Sequence, residues 1–174
     1  MCSGNGTNFQ NIVTNPVCNT NEVVLMIHNT KHCGAVKRAA KFGIPHVRIA
    51  HKEEDQMIKL FETWRVDLIV LAGYMRVLKN PAAFPAPIIN IHPSLLPKYK
   101  GLHAIEQALD SGDDVTGVSV HYVNEELDGG EIILQQEVPI LPNDNIDSLT
   151  KAIQRIEYGI LPAAIEHVKH QLQK

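Results

Sequence analysis

The stretch IINIHPSLLPKYKGLH, residues 88–103, decides how the chain is interpreted. It begins with an apolar run that carries two polar side chains, Asn90 and His92. Residues two apart in a strand point to the same face, so these two side chains are predicted to stand side by side. Pro93 is predicted to end the strand because it cannot donate a ladder hydrogen bond. In an open α/β sheet, ligands bind just beyond the carboxyl ends of such strands.

Two interpretations of Asn90 and His92 follow from the local sequence. In the first, the amide stabilises an oxyanion and the imidazole handles a proton. In the second, both side chains cap the strand and bond only to backbone. The local residues do not separate the two, and the second half of the chain favours the first.

A hairpin is predicted after this stretch. Residues 117–123 alternate as a half-buried strand does, and residues 131–138 form a second strand candidate. The segment NEELDGG at 124–130 has the composition of a turn. Such a hairpin could bring His121 and Asp128 near the two polar residues of the first strand.

Composition limits the class of protein. The chain has 174 residues, 44% hydrophobic and 20% charged, which predicts one globular domain. The net charge of −3 argues against a broad basic surface for nucleic acid, although one bound phosphate remains possible. No apolar run is long enough to cross a membrane, and no signal segment opens the chain. Cys2, Cys18 and Cys33 form no C-x-x-C pair, which is typical of a reducing cytoplasm and predicts no metal site.

The opening segment SGNGTN, residues 3–8, precedes a helix in which Thr7 or Asn8 is the expected cap. A glycine-rich turn that opens a helix can bind an anion through free N–H groups, but a plain capping loop is the simpler alternative. Phosphate loops of this kind normally follow a strand. Only two residues precede this one, so we expect that strand to be missing from the chain.

Strand and helix candidates alternate along the chain, which predicts an α/β fold. We expect a doubly wound, mostly parallel, Rossmann-like sheet with helices on both faces and a C-terminal antiparallel hairpin. The last helix, residues 146–170, is predicted to break near Pro162. Arg76, just after a predicted strand, either contacts an anionic ligand or is simply exposed. The predicted strands are residues 22–28, 45–49, 66–72 and 87–91, and the predicted helices between them are residues 35–42, 53–64 and 104–109.

Five motifs together resemble the phosphoribosylglycinamide formyltransferases, within the wider formyltransferase family. They are SGNGTN at 3–8, LAGYMR at 71–76, NIHPSLLPKYKGLH at 90–103, GVSVHYV at 117–123 and LDGG at 127–130. The resemblance covers nearly the whole chain. It implies the formyltransferase fold, as a single domain over residues 1–174 whose first strand is missing.

The resemblance also implies a reaction, in which the formyl group of 10-formyltetrahydrofolate passes to the amine of glycinamide ribonucleotide in purine biosynthesis. Asn90, His92 and Asp128 match the catalytic trio of the family. The first two suit an oxyanion, and Asp128 can hold an imidazolium and accept the proton of the amine. Ser119 and His121 would help to position the trio without belonging to it.

Substrate contacts are implied by the same resemblance. Those expected to bind the phosphate are Gly6, Thr7 and Asn8, and those expected to bind the ribose are Gln154 and Glu157. Those expected to line the folate pocket are Met75, Arg76, Val77, Leu78, Asn90, Val123, Asn124, Glu125 and Asp128. No metal, nucleic acid or membrane is expected, and a homodimer is possible.

The sequence departs from the pattern of the family in three ways, and two alternative functions are considered. Loss of the first strand would expose neighbouring strand edges and misplace the phosphate loop. The C-terminus stops earlier than in many relatives, and Lys100 stands where the family often has proline.

One alternative function is that of a formyltetrahydrofolate hydrolase, which passes the formyl group to water. The other is a folate- or phosphate-binding protein without turnover.

Overall fold

The computed structural model describes residues Met1–Lys174 and divides into two compact units, Met1–Asn90 and Ile91–Lys174. The single-domain organisation therefore stays a prediction. No helix is both long and apolar enough to cross a membrane.

The first unit alternates helices with short parallel strands, as predicted. Strand β1 pairs in parallel with β2, and β3 pairs in parallel with β4. Strands β1, β2 and β3 are shorter than predicted, with three residues each, whereas β4 has the predicted length of five. The elements are α1 (Thr7–Thr14), β1 (Met26–His28), α2 (Ala35–Lys41), β2 (His46–Arg48), α3 (Glu54–Thr63), β3 (Ile69–Leu71) and β4 (Ile88–His92), whose last two residues belong to the second unit.

The first residues of the chain lie between β1 and β3. Cys2 forms an isolated parallel bridge to His28, and the amino group of Met1 donates to the Val70 carbonyl at 2.6 Å. Burial lowers the pKa of that amino group. Ser3 then donates its N–H to Gly73, just beyond β3. These bonds hold the start of the glycine-rich segment against the carboxyl ends of two strands.

Helix α1 differs from the prediction at its first residue. Neither Thr7 nor Asn8 caps it; the N-cap is Gly6, which has φ 74° and makes no side-chain cap. A side chain has no room there, because a Cβ on Gly6 would lie 2.5 Å from the Ala35 Cβ. Because α2 approaches so closely, this position requires glycine.

The second unit is built on the predicted antiparallel hairpin. Strand β5 pairs with β6 from Val115↔Pro139 to His121↔Ile132. Helix α5 packs against both strands, and α4 packs against α5. Both faces of β5 are buried, because Val118, Ser119 and Val120 are all fully enclosed. The elements are α4 (Ala104–Ser111), β5 (Val115–Tyr122), β6 (Ile132–Pro139) and α5 (Ile146–Leu172).

The predicted break in the last helix is wrong. Helix α5 runs without interruption through Pro162. An interior proline removes a hydrogen bond and costs about 3 kcal/mol or more. Here Pro162 is itself buried, and Leu161 and Ile165 beside it lie in the core. Burial of this apolar face offsets the lost bond, since each such side chain contributes about 1.5–3 kcal/mol.

We expect Leu161→Ala to lower the free energy of unfolding by about 2–5 kcal/mol, because it opens a cavity beneath α5. Leu161 is fully buried, whereas Leu172 on the same helix is 48% exposed. The matched variant Leu172→Ala should therefore change the free energy by less than about 0.5 kcal/mol. Urea titration measures both. Equal losses for the two variants would contradict the packing of α5.

Candidate active site

A buried carboxylate, Asp128, forms the centre of a polar cluster in the second unit. Its Oδ2 lies 3.5 Å from Nδ1 of His92, and its Oδ1 lies 3.5 Å from Nε2 of His121. The Gly101 N–H donates to Oδ2 at 2.7 Å. The Asp128 side chain is 9% exposed, so its charge is balanced by these partners more than by water.

In both imidazoles, the nitrogen that does not face Asp128 is hydrogen-bonded to a backbone carbonyl. His92 donates from Nε2 to the Tyr99 carbonyl at 2.8 Å, and His121 donates from Nδ1 to the Tyr122 carbonyl at 2.8 Å. A carbonyl only accepts, so the nitrogen that faces it carries the proton. Each ring can therefore donate to Asp128 only as an imidazolium. The cluster is built to hold a proton next to a carboxylate.

The pKa of Asp128 reflects opposing effects. Burial raises it, but the hydrogen bond from His121, the Gly101 N–H and the charge of His92 together outweigh burial. The net result is a pKa below the ordinary value of a carboxyl group. Asp128 is thus held as a carboxylate at neutral pH.

Local chain geometry places these side chains. Strand β4 ends at His92 before Pro93, as predicted. The register of β5 and β6 shifts between Val120 and His121, and such a bulge re-aims the side chain that follows it. Asp128 itself has φ 48°. After it, a Cβ on Gly130 would lie 1.8 Å from the Tyr122 carbonyl, so only glycine fits this turn.

Ser119 supports the site indirectly. Its hydroxyl donates to the Ser94 carbonyl at 2.6 Å and accepts from the Leu96 N–H at 3.1 Å. Gln135 on β6 donates to the same hydroxyl and to the Leu96 carbonyl. Ser119 therefore anchors the loop that follows His92. Gln135 could not be identified from the sequence, because its role depends on the pairing of two strands.

Asn90 lies on β4, two residues before His92, and pairs with Leu71 of β3. Strand alternation turns Asn90 and His92 toward the same face, as predicted. The structure thus brings together His92, His121 and Asp128. The catalytic roles of Asn90, His92 and Asp128 stay predictions.

In the first unit, the glycine-rich segment is fixed through its backbone. The Gly4 carbonyl accepts from the Ala35 N–H at 3.2 Å, and the Asn5 carbonyl accepts from Nε of Arg38 at 2.7 Å. Gly6, Thr7 and Asn8 then lead directly into α1. The N-terminus of a helix favours an anion through the direction of its N–H groups and its dipole.

The segment predicted to contact folate is held at both ends. The Met75 N–H donates to the Ser3 hydroxyl at 2.8 Å. At the far end, the Glu54 carboxylate accepts from the N–H groups of Lys79 and Asn80 at 2.7 and 3.2 Å. Sequence reasoning missed Glu54, because a charged residue in the first turn of a helix looks like an ordinary surface residue.

The side chains of this segment divide into two sets. Met75 and Val77 are 59% and 63% exposed, and Arg76 is exposed as well, whereas Leu78 is buried. Exposed apolar side chains on an anchored segment are typical of a binding surface.

The other predicted contacts lie in the second unit. Gln154 and Glu157 are half-buried on α5 and, three residues apart, share one face of it. Val123, Asn124 and Glu125 lead from β5 into the turn that carries Asp128. No group of three or more His, Cys, Asp or Glu side chains is arranged to hold a metal ion.

An α/β chain with this hairpin and a buried His–Asp pair fits the class of formyltransferases. Residues 1–165 match the family described as "Formyl transferase", and the chain belongs to that family.

Particular relatives narrow the match. The chain is 38% identical to the phosphoribosylglycinamide formyltransferase of Haemophilus influenzae over 179 residues, which cover 95% of this chain and 84% of that protein. It is 40% identical over 178 residues to the trifunctional purine biosynthetic protein adenosine-3 of Drosophila melanogaster, of which it spans 13%.

Solved structures agree on the fold. The phosphoribosylglycinamide formyltransferase of Bacillus halodurans superposes with a TM-score of 0.89 at 37% identity, covering 96% of this chain and 92% of that one. The Streptococcus pneumoniae enzyme gives 0.86 at 32% identity, with coverages of 96% and 95%. The predicted formyltransferase fold is confirmed.

We expect the stability contributed by Asp128 to disappear in acid. Because its pKa is lowered on folding, this contribution is present above the ordinary carboxyl pKa of about 4 and is lost as pH falls through the lower folded value. Asp128→Asn should lower the free energy of unfolding at neutral pH by about 1–3 kcal/mol.

Urea titrations at several pH values measure this difference. The gap between Asp128→Asn and the wild type should narrow below pH ~4. Asp110→Asn, at an exposed position of α4, serves as the control and should stay within about 0.5 kcal/mol throughout. A gap for Asp128→Asn that is constant with pH would mean that its carboxylate is not stabilised by folding.

Proposed function

We propose that this chain transfers the formyl group of 10-formyltetrahydrofolate to the amine of glycinamide ribonucleotide, as a step of purine biosynthesis. The observation that carries the proposal is the buried Asp128 carboxylate between two imidazoles, in a chain of the formyl transferase family. The products are tetrahydrofolate and formylglycinamide ribonucleotide.

The amine attacks the formyl carbon directly, so that this carbon becomes tetrahedral and the formyl oxygen becomes an oxyanion. Collapse of the intermediate breaks the bond between the formyl carbon and N10 of the folate, and N10 takes up the proton that the amine has lost. Asn90 donates an amide N–H to the oxyanion. His92 donates from Nδ1, because its Nε2 is already bonded to the Tyr99 carbonyl. Nδ1 of His92 lies 3.5 Å from Oδ2 of Asp128, which is longer than a strong hydrogen bond. Nδ1 can therefore interact with both the oxyanion and Asp128, because catalytic contacts often tighten only when substrate is bound.

Asp128 accepts the proton that the amine loses, directly or through one water. It is a carboxylate at neutral pH, and the proton it accepts becomes acidic once the amine nitrogen has attacked the formyl carbon. It also stabilises the imidazolium of His92, which the oxyanion requires. His121 and the Gly101 N–H orient the carboxylate.

Binding is assigned to the remaining predicted residues. Gly6, Thr7 and Asn8 hold the 5′-phosphate through the N–H groups that open α1. Gln154 and Glu157 contact the ribose hydroxyls. The folate contacts are the exposed side chains of residues 75–77, the apolar wall at Leu78, Asn90, and residues 123–125 with Asp128. We further propose that the protein acts in the cytoplasm and forms a homodimer.

The first test is formyl transfer from 10-formyltetrahydrofolate, measured with and without glycinamide ribonucleotide. We expect loss of the formyl group only when the ribonucleotide is present. Asp128→Asn should lower kcat by about 10²–10⁴-fold, the usual contribution of a general base. Asp110→Asn, which changes a carboxylate of the same type at an exposed position, should stay near the wild type.

The other outcomes identify the alternatives. Formyl release without ribonucleotide would indicate a hydrolase. Folate binding without turnover, in a chain that unfolds cooperatively, would indicate a binding protein. Normal turnover in Asp128→Asn would remove Asp128 from the mechanism.

The phosphate site predicts a selective effect of Gly6→Ala. The added methyl would collide with Ala35, and φ 74° disfavours alanine, so the loop must shift. We expect KM for the ribonucleotide to rise about tenfold or more, with a smaller change in KM for the folate.

Gly43→Ala is the matched control for Gly6→Ala. Gly43 also has positive φ, 66°, but a Cβ there would meet nothing within 4 Å. This variant carries the backbone strain without the collision, and its KM for the ribonucleotide should stay near the wild type. Steady-state kinetics on both variants test the assignment, and an equal rise in both KM values for Gly6→Ala would contradict it.

A further inference from the structure

One residue beside the site has a strained backbone, and its side chain has no role in the steps above. Tyr99 has φ 55°, in the left-handed region that non-glycine residues rarely adopt. Its carbonyl is the acceptor for Nε2 of His92 at 2.8 Å. The orientation of this carbonyl depends on the unusual φ, so something must hold the residue there.

The phenol of Tyr99 provides that hold. It donates to Oδ2 of Asp113 at 2.5 Å and also lies 2.8 Å from Oγ of Ser111. The same Asp113 oxygen accepts from Nζ of Lys98 at 2.6 Å. Both bonds contribute to the lowered pKa of Asp113, that from Lys98 most and that from Tyr99 next. The turn before Tyr99 is also closed, because the Ser94 hydroxyl donates to the Lys98 carbonyl at 2.6 Å.

The loop also holds the other partner of His92. Two residues after Tyr99, the Gly101 N–H donates to Oδ2 of Asp128. Residues 99–101 therefore contact both members of the pair: the Tyr99 carbonyl bonds the imidazole nitrogen that faces away from Asp128, and the Gly101 N–H bonds the same Asp128 oxygen that faces His92. A shift of this loop would change both at once.

We propose that Tyr99 is a positioning residue, whose phenol bond to Asp113 holds its carbonyl against Nε2 of His92 and so reserves Nδ1 for the reaction. The inference rests on the proposed function, since it concerns the nitrogen that serves the oxyanion and Asp128. Without the phenol bond, Tyr99 is free to relax to negative φ and turn its carbonyl away. The neutral ring of His92 then loses its preference for a proton on Nε2.

The direct test observes the ring itself. In protein labelled with ¹⁵N-histidine, the ring nitrogen shifts at alkaline pH report which nitrogen carries the proton in the neutral form. We expect wild-type His92 to carry it on Nε2, and Tyr99→Phe to show both tautomers. This readout does not depend on formyl transfer, so it stands even if the proposed reaction is wrong.

Kinetics give the second readout. Tyr99→Phe should lower kcat by roughly three- to tenfold, the effect of losing one charge-assisted hydrogen bond, with KM values nearly unchanged. Asp113→Ala removes one of the two partners of the phenol and should lower kcat in the same direction but by less, because the Ser111 hydroxyl stays within reach. In the double variant the two effects should not add, because Tyr99→Phe already removes every hydrogen bond of the phenol.

Lys98→Met is the matched control. It removes the other donor to Asp113, an ion pair whose side chains are 59% and 34% exposed and which should contribute little. We expect kcat within about twofold of the wild type and an unchanged His92 tautomer. The proposal is overturned if Tyr99→Phe leaves the tautomer unchanged, if its effect adds to that of Asp113→Ala, or if Lys98→Met matches it.

Discussion

Burial of the Asp128 charge is the constraint on which the second unit depends. A carboxylate taken out of water is unfavourable by several kcal/mol unless it is paired and hydrogen-bonded. Three separate segments meet this need: the end of β4 through His92, the bulged end of β5 through His121, and the loop after β4 through Gly101. Removing any one of them would leave the charge undercompensated, so the charge fixes how these segments converge.

Local rules were sufficient for the parts of this arrangement that depend on nearest neighbours. Alternation along a strand predicted that Asn90 and His92 share a face, and Pro93 predicted where β4 ends. The turn composition before β6 predicted a hairpin that brings His121 and Asp128 together, and the structure confirms it. Each of these inferences uses only residues within one element or one turn.

Features that depend on distant residues could not be read from the sequence. Tyr99 lies in the left-handed region, and its phenol bonds Asp113, fourteen residues away in the sequence. Gln135 matters because strand pairing places it beside Ser119. The predicted break of α5 near Pro162 is wrong for a similar reason. The rule that proline breaks a helix does not include the burial of the helix face around the proline. In each case contacts with residues distant in the sequence determine the local structure.

Backbone strain and buried charge occur together in this chain. The structure has four non-glycine residues at positive φ, and three of them, Tyr99, His103 and Asp128, belong to the loop after β4 or the turn after β5. Strain of this kind persists only where the surroundings hold it, and it clusters at sites where geometry matters more than stability. Helix α5 supplies compensating burial in the same unit. The strained residues therefore mark the part of the chain in which position has been favoured over stability, and the chemistry proposed for His92 and Asp128 depends on that position.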